Sequence, residues 1–200
     1  MSFLEHLQQR FPQSGFETLV VGDRFNIIRF DVQFRGKKYF VICTDGLWKY
    51  RMPVTPKYEG KEHIELSVCV EDDWDFEEEN NQWIPEKLEW LGNFLLDRKT
   101  WFGAGHTIPN GNPPKPLSRS VTQDHFFFDE ATYMHEIFNP FYIDETPVNF
   151  LFLIPVSKDE LDYKHKKSTF VFKRKLANKN VHEVIEEFRP SIITRRWKLW

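Results

Sequence analysis

The sequence is poor in cysteine and lacks a long apolar run. Its 200 residues include only two cysteines, Cys43 and Cys69. Two are too few for a disulfide framework, and we expect both to be small buried apolar residues rather than a bridge or a pair of metal ligands. No stretch approaches the ~18 apolar residues of a membrane-spanning helix. Residues Met1–His6 also lack the basic start and apolar run of a signal peptide, so we expect a cytoplasmic protein with no membrane partner.

A strong imbalance of charge is also absent. With 27 Lys and Arg against 30 Asp and Glu, the formal net charge is −3. Such a balance gives no general attraction to nucleic acids or anionic membranes. Residues 195–200 combine two Trp with three basic residues, which would suit nucleic-acid stacking or a membrane surface. We favour a tail that packs against the domain, and we predict no nucleic-acid partner.

Aromatic residues, by contrast, are abundant. The chain has 20 Phe and 7 Trp, and its aromatic fraction is 16%. Each aromatic side chain buries about 150–250 Å², so these residues can build a substantial core and still leave some rings on a binding face. No Ser/Gly-rich linker divides the chain. We therefore predict one domain over residues 1–200.

The spacing of apolar residues predicts both helices and strands. Helical spacing predicts helices between Ser2 and Pro12, around residues 84–95, after Ser157 and over residues 180–188. Alternating or continuous apolar residues predict strands over residues 16–21, 30–34, 39–43, 64–70, 125–128, 148–154 and 169–172. Residues 35–38 are typical of a hairpin turn. Many strands with few helices and no βαβ rhythm predict an α+β fold, a single domain with a mixed, largely antiparallel sheet flanked by helices.

The segment Thr100–Ile108 follows the longest predicted helix directly and combines two glycines, two large aromatics and a histidine. Gly103 and Gly105 permit a positive φ or the close approach of another segment, so we predict an ordered loop. His106 is its sharpest chemical candidate, as a polar contact for a partner or as a general base. The alternative is structural, with the imidazole tying the loop to backbone carbonyls. The sequence leaves these roles open.

Enzyme chemistry at His106 would need a nucleophile and an orienting group, and Cys43, Asp45 and His63 are the candidates. A zinc site formed by Cys43, His63, Cys69 and His106 has no CxxC, HxH or HExxH spacing to support it. The glycines are not followed by the GK[ST] of a P-loop. We therefore predict no enzyme activity, no metal and no cofactor.

The acidic stretch Glu71–Glu79 has two interpretations. It lacks the central glycine of an EF-hand loop, which argues against calcium binding. One interpretation is a solvated loop. The other is a docking surface for a basic partner such as a nuclease toxin, with Asp73 among its carboxylates and Trp74 and Phe76 as apolar anchors.

Several short motifs occur in an order that is typical of one protein family. They are Thr44-Asp45-Gly46-Leu47, His63-Ile64-Glu65-Leu66-Ser67-Val68, the helical stretch Trp83–Leu96, the loop Thr100–Ile108, and Leu151–Val156 followed by Asp159-Glu160-Leu161. In this order they resemble the suppressor-of-fused domain in its stand-alone bacterial form, over about residues 16–175. Trp48 stands where the family usually has a small residue, which distinguishes this surface from that of relatives.

The resemblance implies an α+β domain with no known catalytic activity. Eukaryotic relatives sequester a transcription factor of the Hedgehog pathway by holding a short peptide as an added strand. Bacterial relatives are thought to act largely as immunity proteins that neutralise a cognate toxin by binding it. We therefore expect a protein partner, either a toxin domain or a peptide segment, while the sequence specifies no oligomeric state. The candidate partner-binding residues are Asp45, Trp48, Asp73, Trp74, Phe76, Trp101 and His106, and the candidate structural glycines are Gly46, Gly103 and Gly105.

Overall fold

A seven-stranded sheet organises the molecule. The computed structural model describes residues 2–139 and 141–193, and every statement below concerns those residues. The strands are β1 (Phe16–Val20), β2 (Asn26–Phe34), β3 (Lys37–Asp45), β4 (Ile64–Glu71), β5 (Thr107–Pro109), β6 (His125–Asp129) and, after a small hairpin of β7 (Tyr142–Ile143) and β8 (Thr146–Pro147), β9 (Asn149–Val156). The order across the large sheet is β1-β2-β3-β4-β9-β6-β5. Only β4 and β9 run parallel, so the predicted mixed, largely antiparallel α+β fold is confirmed.

The hairpin between β2 and β3 forms where the turn residues predict it. Arg35 and Gly36 have φ angles of 51° and 79°, as a two-residue turn of the primed type requires. The register joins Phe34 to Lys37 and continues to Asn26 and Asp45. The arms are therefore longer than the residues 30–34 and 39–43 that alternation predicts, because pairing extends past the apolar part of each strand.

Strand β4 is buried on both faces. Leu66, Val68 and Val70 belong to the core on one side of the sheet, whereas Cys69 belongs to the core on the other. Alternation alone predicts a half-buried strand, but Glu65 and Ser67 are also fully buried. The difference arises because helices and long segments cover both faces of the sheet.

Helix α2 (Trp83–Arg98) covers one face. Its predicted stripe is confirmed, since Ile84, Leu88, Leu91 and Leu95 are all buried there. A Cβ on Gly92 would lie 2.4 Å from the ring of Phe25, so a larger residue at this position would require that ring to move.

The opposite face is covered by helix α1 (Phe3–Arg10), the short helix α3 (His135–Phe138) and helices α4 (Lys158–Lys167) and α5 (Thr169–Ala177). The predicted capping box of α1 is confirmed, with Glu5 N–H donating to the Ser2 hydroxyl and Ser2 N–H to the Glu5 carboxylate. The predicted strand over residues 169–172 is wrong. Phe172 and Leu176, four residues apart, pack from α5 onto Phe127, and this packing overrides the strand preference of the local residues.

The predicted helix over residues 180–188 is also wrong, because this segment runs irregularly after α5 and its side chains point into different cores. Cys43 and Cys69 are free and buried, as expected. The predicted packing of residues 195–200 lies outside the described residues. Among the described helices, none is both long and apolar enough to cross a bilayer.

Candidate functional site

The turn after β3 is held from beneath by a buried carboxyl group. Glu65 on β4 is fully buried and accepts hydrogen bonds from the N–H groups of Gly46 at 2.9 Å and Trp48 at 3.2 Å. The Thr44 hydroxyl also donates to it. Gly46 takes a φ of 114°, which favours glycine. The Thr44–Trp48 turn is therefore held in place by specific hydrogen bonds to Glu65.

Burial raises the pKa of Glu65 to about 8, even though the hydrogen bonds from Thr44, Gly46 and Trp48 favour the charged form. Burial also raises the pKa of Asp45, which is half-buried at the start of the same turn. The Trp48 carbonyl lies 2.7 Å from Nδ1 of His63, which connects the turn to the residue before β4. The Trp48 indole packs against the core between the sheet and helix α1, which we call the α1-side core. Trp48 therefore contributes to stability as well as to the surface.

The predicted loop Thr100–Ile108 is ordered and tied to β6 by its backbone. Gly105 N–H donates to the Phe128 carbonyl at 2.7 Å, and Phe128 N–H donates to the His106 carbonyl at 3.0 Å. The last residues of the predicted loop, from Thr107, form the edge strand β5. The loop is therefore a continuation of the sheet rather than an independent surface element.

The two loop glycines are required by close contacts. A Cβ on Gly103 would lie 2.9 Å from the Trp101 ring and 3.0 Å from that of Tyr58. Gly105 has a φ of 96°, and its Cβ would lie 2.9 Å from the methyl group of Thr169. The structural roles predicted for both glycines therefore have a physical basis.

His106 lies in an aromatic cluster of half-buried rings. Its ring centroid is 4.3 Å from Trp101 and 6.1 Å from Tyr58, and the Tyr58 hydroxyl donates to the Ala104 carbonyl at 3.1 Å. Burial, with a smaller contribution from Lys164, lowers the pKa of His106 and so favours the neutral imidazole. Tyr58 belongs to the same aromatic cluster. Sequence reasoning missed it because it lies more than 40 residues before the loop.

The structure does not bring the proposed catalytic residues together with His106. Across residues 2–139 and 141–193, Cys43, Asp45 and His63 make no hydrogen bond or ring contact with it. Cys43 is fully buried in the α1-side core, and burial raises the pKa of its thiol well above the usual range. Neither of the two cysteines is placed as a nucleophile, and within the same residues no group of three or more His, Cys, Asp and Glu could hold a metal ion.

The acidic stretch is packed against the domain on one side and exposed on the other. Trp74 is only 6% exposed and belongs to the core between the sheet and helix α2, which we call the α2-side core. It is therefore not the exposed anchor that the docking interpretation requires. Phe76 packs at 5.7 Å against Phe40, under the guanidinium of Arg29. Asp73 is exposed. The segment is therefore anchored to the domain by its aromatic residues and presents its carboxylates outward.

Asp73 also lines an acidic groove of about 310 Å³. Glu71, Asp73 and Trp74 form one wall, and residues from Asn180 to Glu187 form the other. The wall after α5 adds Glu186, Glu187 and His182, and Lys and Arg are absent from the described lining. Sequence reasoning missed this second wall, which lies more than 100 residues along the chain.

Comparisons with known proteins agree with this architecture. A family model described as suppressor of fused protein matches residues 22–190. A crystal structure of a Sufu–Fu complex is 13% identical with a TM-score of 0.64, covering 94% of this chain and 90% of that chain. The crystal structure of Drosophila Suppressor of Fused is 14% identical with a TM-score of 0.65, covering 96% of this chain and 50% of that chain. A search of curated protein sequences finds no match.

Proposed function

This chain belongs to the suppressor of fused family, and from that premise we propose that it is a non-catalytic domain that acts by binding another protein. The observation that carries the proposal is the family match over residues 22–190. One solved structure with this fold is of a Sufu–Fu complex. We extend this mode of action, the binding of a protein partner, to the present chain.

We propose more specifically that the partner is a basic toxin domain and that the chain is its immunity protein. The acidic groove supports a basic partner, since Glu71, Asp73, Glu186 and Glu187 place four carboxylates around one opening. Half-exposed aromatic rings at Trp101 and Tyr58 supply the kind of rigid apolar contact that interfaces favour. Both features belong to an interface and require no reacting group.

The proposal is tested by isolating the partner and then changing the groove. The tagged chain is incubated with an extract of its native cell, the retained protein is identified by mass spectrometry, and that protein is purified. Asp73→Lys should weaken its binding by about tenfold, because a positive charge then faces a basic surface. Glu136→Lys changes the net charge equally at an exposed site outside the groove and should alter the affinity less than about twofold.

A growth assay separates immunity from binding in general. Expression of the partner alone should stop growth, and co-expression of the wild-type chain should restore it, whereas Asp73→Lys should restore it less. A partner that binds but is harmless would contradict the immunity role and leave the binding role intact. A partner that is cleaved or modified by the chain would contradict the non-catalytic role.

A regulatory module that holds a peptide of another cytoplasmic protein is the second candidate. Strand β1 favours it, because β1 lies at the edge of the sheet and pairs only with β2 among the described strands. An edge of this kind offers unpaired N–H and C=O groups for an added strand. If the isolated partner does not stop growth and binds through a short peptide segment, this role is favoured over immunity.

A further inference from the structure

Helices α4 and α5 meet the loop before β5 at Gly105. A Cβ on this glycine would lie 2.9 Å from the methyl group and 3.8 Å from the hydroxyl oxygen of Thr169, so the first residue of α5 touches the loop just before His106. The last turn of α4, which carries Lys164, ends two residues before Thr169. The fold therefore brings two helices from the end of the chain to the aromatic cluster around His106.

Lys164 is a partly buried lysine with no neutralising contact. Among the described residues, five other lysines are partly buried, and each of them has a carboxylate or an aromatic ring as partner. Lys38, Lys61 and Lys173 pair with Asp31, Glu130 and Asp129 at 3.7, 2.9 and 2.7 Å, and Lys87 and Lys175 lie 5.9 and 5.2 Å from the ring centres of Trp90 and Tyr163. Lys164 has neither kind of partner in residues 2–139 and 141–193. Burial also lowers the pKa of its ammonium group, because water solvates the charge less well there.

The imidazole of His106 is likewise left without a hydrogen bond. Its ring centroid lies 4.3 Å from that of Trp101, but within the described part of the chain neither ring nitrogen has a hydrogen-bond partner. After burial, the charge of Lys164 is the second cause of the lowered pKa of His106, which places the ammonium group near the imidazole. No carboxylate of the described residues shifts the pKa of either group. This part of the surface therefore holds a positive charge without a counter-charge.

The groups that meet here favour a ligand with one negative charge. The ammonium group of Lys164, the imidazole N–H and the Thr169 hydroxyl are hydrogen-bond donors. The rings of Trp101 and Tyr58, half-buried with centroids 4.8 Å apart, add a flat apolar surface beside them.

A carboxylate fits these donors better than a nucleic acid does. Nucleic acids are bound by rows of Lys and Arg that neutralise successive phosphates. Arginine, whose planar fork matches a phosphate group, is absent from α4. The other basic residues of the last turn of α4, residues 165–167, are exposed and not drawn into the cluster. They add positive charge nearby, so an oligonucleotide is the comparison ligand in the test below.

We propose that Lys164 and His106, with the rings of Trp101 and Tyr58, form a contact that binds an Asp or Glu side chain of the partner protein. The proposal rests on the proposed binding function and adds an acidic residue to a partner that the acidic groove attracts through basic residues. The partner's carboxylate accepts hydrogen bonds from the ammonium group and the imidazole N–H, and an apolar neighbour lies on the two rings. The contact shares no residue with the acidic groove, and opposite charges at two separate places fix the orientation in which a partner docks.

Charge reversal at Lys164 tests the contact with the purified partner. Lys164→Glu should weaken binding by about tenfold, because two carboxylates then face each other. Lys166→Glu makes the same change at an exposed position of the same turn and should alter the affinity less than about twofold. Thermal unfolding shows whether both variants are folded. If Lys164→Glu does not fold, Lys164→Met keeps the apolar stem without the charge and should weaken binding by about fivefold.

A compensating change in the partner identifies the carboxylate. Each exposed Asp and Glu of the partner is changed to Lys in turn. One of these changes should weaken binding to the wild-type chain and restore the affinity for Lys164→Glu to within about threefold of the wild-type pair. The same partner variant should not bind Lys166→Glu more tightly than it binds the wild-type chain.

A short peptide tests the contact without the partner. The probe is acetyl-Gly-Leu-Glu-Phe-Gly-amide, added at millimolar concentration to the isotope-labelled chain. It should shift the NMR signals of Gly105, His106 and the Trp101 indole, and Lys164→Glu should abolish these shifts. The same peptide with Gln in place of Glu should leave the signals unchanged. A strand of ten thymidine nucleotides should also leave them unchanged at about 0.15 M salt, where weak phosphate contacts are screened.

Equal effects of Lys164→Glu and Lys166→Glu on partner binding would overturn the proposal, as would equal shifts from the Glu and Gln peptides. An oligonucleotide that shifts the signals when the peptide does not would assign this surface to nucleic acid instead. If Asp73→Lys weakens partner binding and Lys164→Glu does not, the carboxylate contact is wrong and the binding function stands. If no protein partner is retained, the proposed function is wrong, and the peptide measurement alone decides whether the contact binds a carboxylate.

Discussion

Two fully buried glutamates support two different parts of the molecule. Glu65 holds the Thr44–Trp48 turn, and we call these residues the Glu65 site. Glu160 on α4 holds the segment Arg189–Ile192, and these residues form the Glu160 site. Both side chains have no exposed surface, but only Glu160 has a cation, with the guanidinium of Arg189 at 2.6 and 3.0 Å from its carboxylate oxygens. Glu65 is surrounded by neutral donors, and burial raises its pKa to about 8.

The comparison shows two ways to keep a carboxyl group inside a protein. A nearby cation compensates the charge, as in the Glu160 site, whereas neutral donors leave the charged form disfavoured, as in the Glu65 site. The first arrangement depends on both partners being present. The second makes the stability of the turn sensitive to pH.

The largest effect is expected from Arg189→Ala. Removal of the guanidinium leaves the Glu160 carboxylate buried without its cation and should lower the free energy of unfolding by about 3–5 kcal/mol. Urea denaturation at pH 7 measures the loss. The double variant Glu160→Gln/Arg189→Ala, which has no buried charge at this position, should lose less than the single variant. A loss below about 1 kcal/mol for Arg189→Ala would show that the pair is not compensated as described.

Glu65→Gln should change how stability depends on pH. Because the folded pKa of Glu65 is about 8 and the unfolded value is 4.5, the folded state retains the proton over this interval. The resulting stability is fully present below pH 4.5 and is lost as the pH rises through 8, which amounts to roughly 4 kcal/mol between pH 5 and pH 8. Glutamine keeps the shape but cannot ionise, so the variant should lack this decline. Denaturation at a series of pH values measures this decline. If the free energy of unfolding of the two proteins changed with pH in the same way, the assignment would be contradicted.

Gly46→Ala should have a smaller effect at the Glu65 site. The φ of 114° disfavours any side chain, although the nearest atoms to a new Cβ are 3.6 Å away, so we expect a loss of about 1–2 kcal/mol from backbone strain alone. Gly36→Ala is the matched control, with a φ of 79° and open space around the new methyl group. It should cost less, because the hairpin turn is not held by a buried carboxyl group and can relax. Equal losses would show that Glu65 does not fix the turn.

Ser191→Ala should have the smallest effect and reports on the periphery of the Glu160 site. The Ser191 hydroxyl donates to Asp159 at 2.9 Å, and its removal should cost about 1 kcal/mol. The Asp159 carboxylate keeps its hydrogen bond from Ser157, so α4 itself should remain folded. Thermal unfolding measures the change, and a loss as large as that of Arg189→Ala would mean that the outer hydrogen bond, rather than the buried pair, holds the segment.

Local sequence patterns predict the structure correctly where the contacts that determine it lie close together in the sequence. The stripe of α2 gives its buried face, and the residues Arg35-Gly36 give the turn between β2 and β3. They fail for residues 169–172 and 180–188, where distant packing decides the conformation. Glu183 illustrates the reason, because its carboxylate binds the backbone of residues 132–134, about 50 positions earlier in the chain.

The candidate site shows the same division. Among the candidate partner-binding residues, the sequence offered Trp74 as an apolar anchor in one of two interpretations, whereas the ring lies in the core. An indole beside several carboxylates is compatible with either location, and only the position of α2 over the sheet decides between them.

By itself, the sequence determined the α+β class, most of the strands, the face of α2 and the positions where the backbone needs glycine, because these depend on periodicity and on the conformational range of single residues. Only the tertiary structure decided that Glu65 lies beneath the Thr44–Trp48 turn, that Arg189 neutralises Glu160, and that Val184 forms a bridge with Cys69 of β4. Those arrangements come from segments far apart in the chain, and their energies depend on burial and proximity that exist only after the sheet has formed.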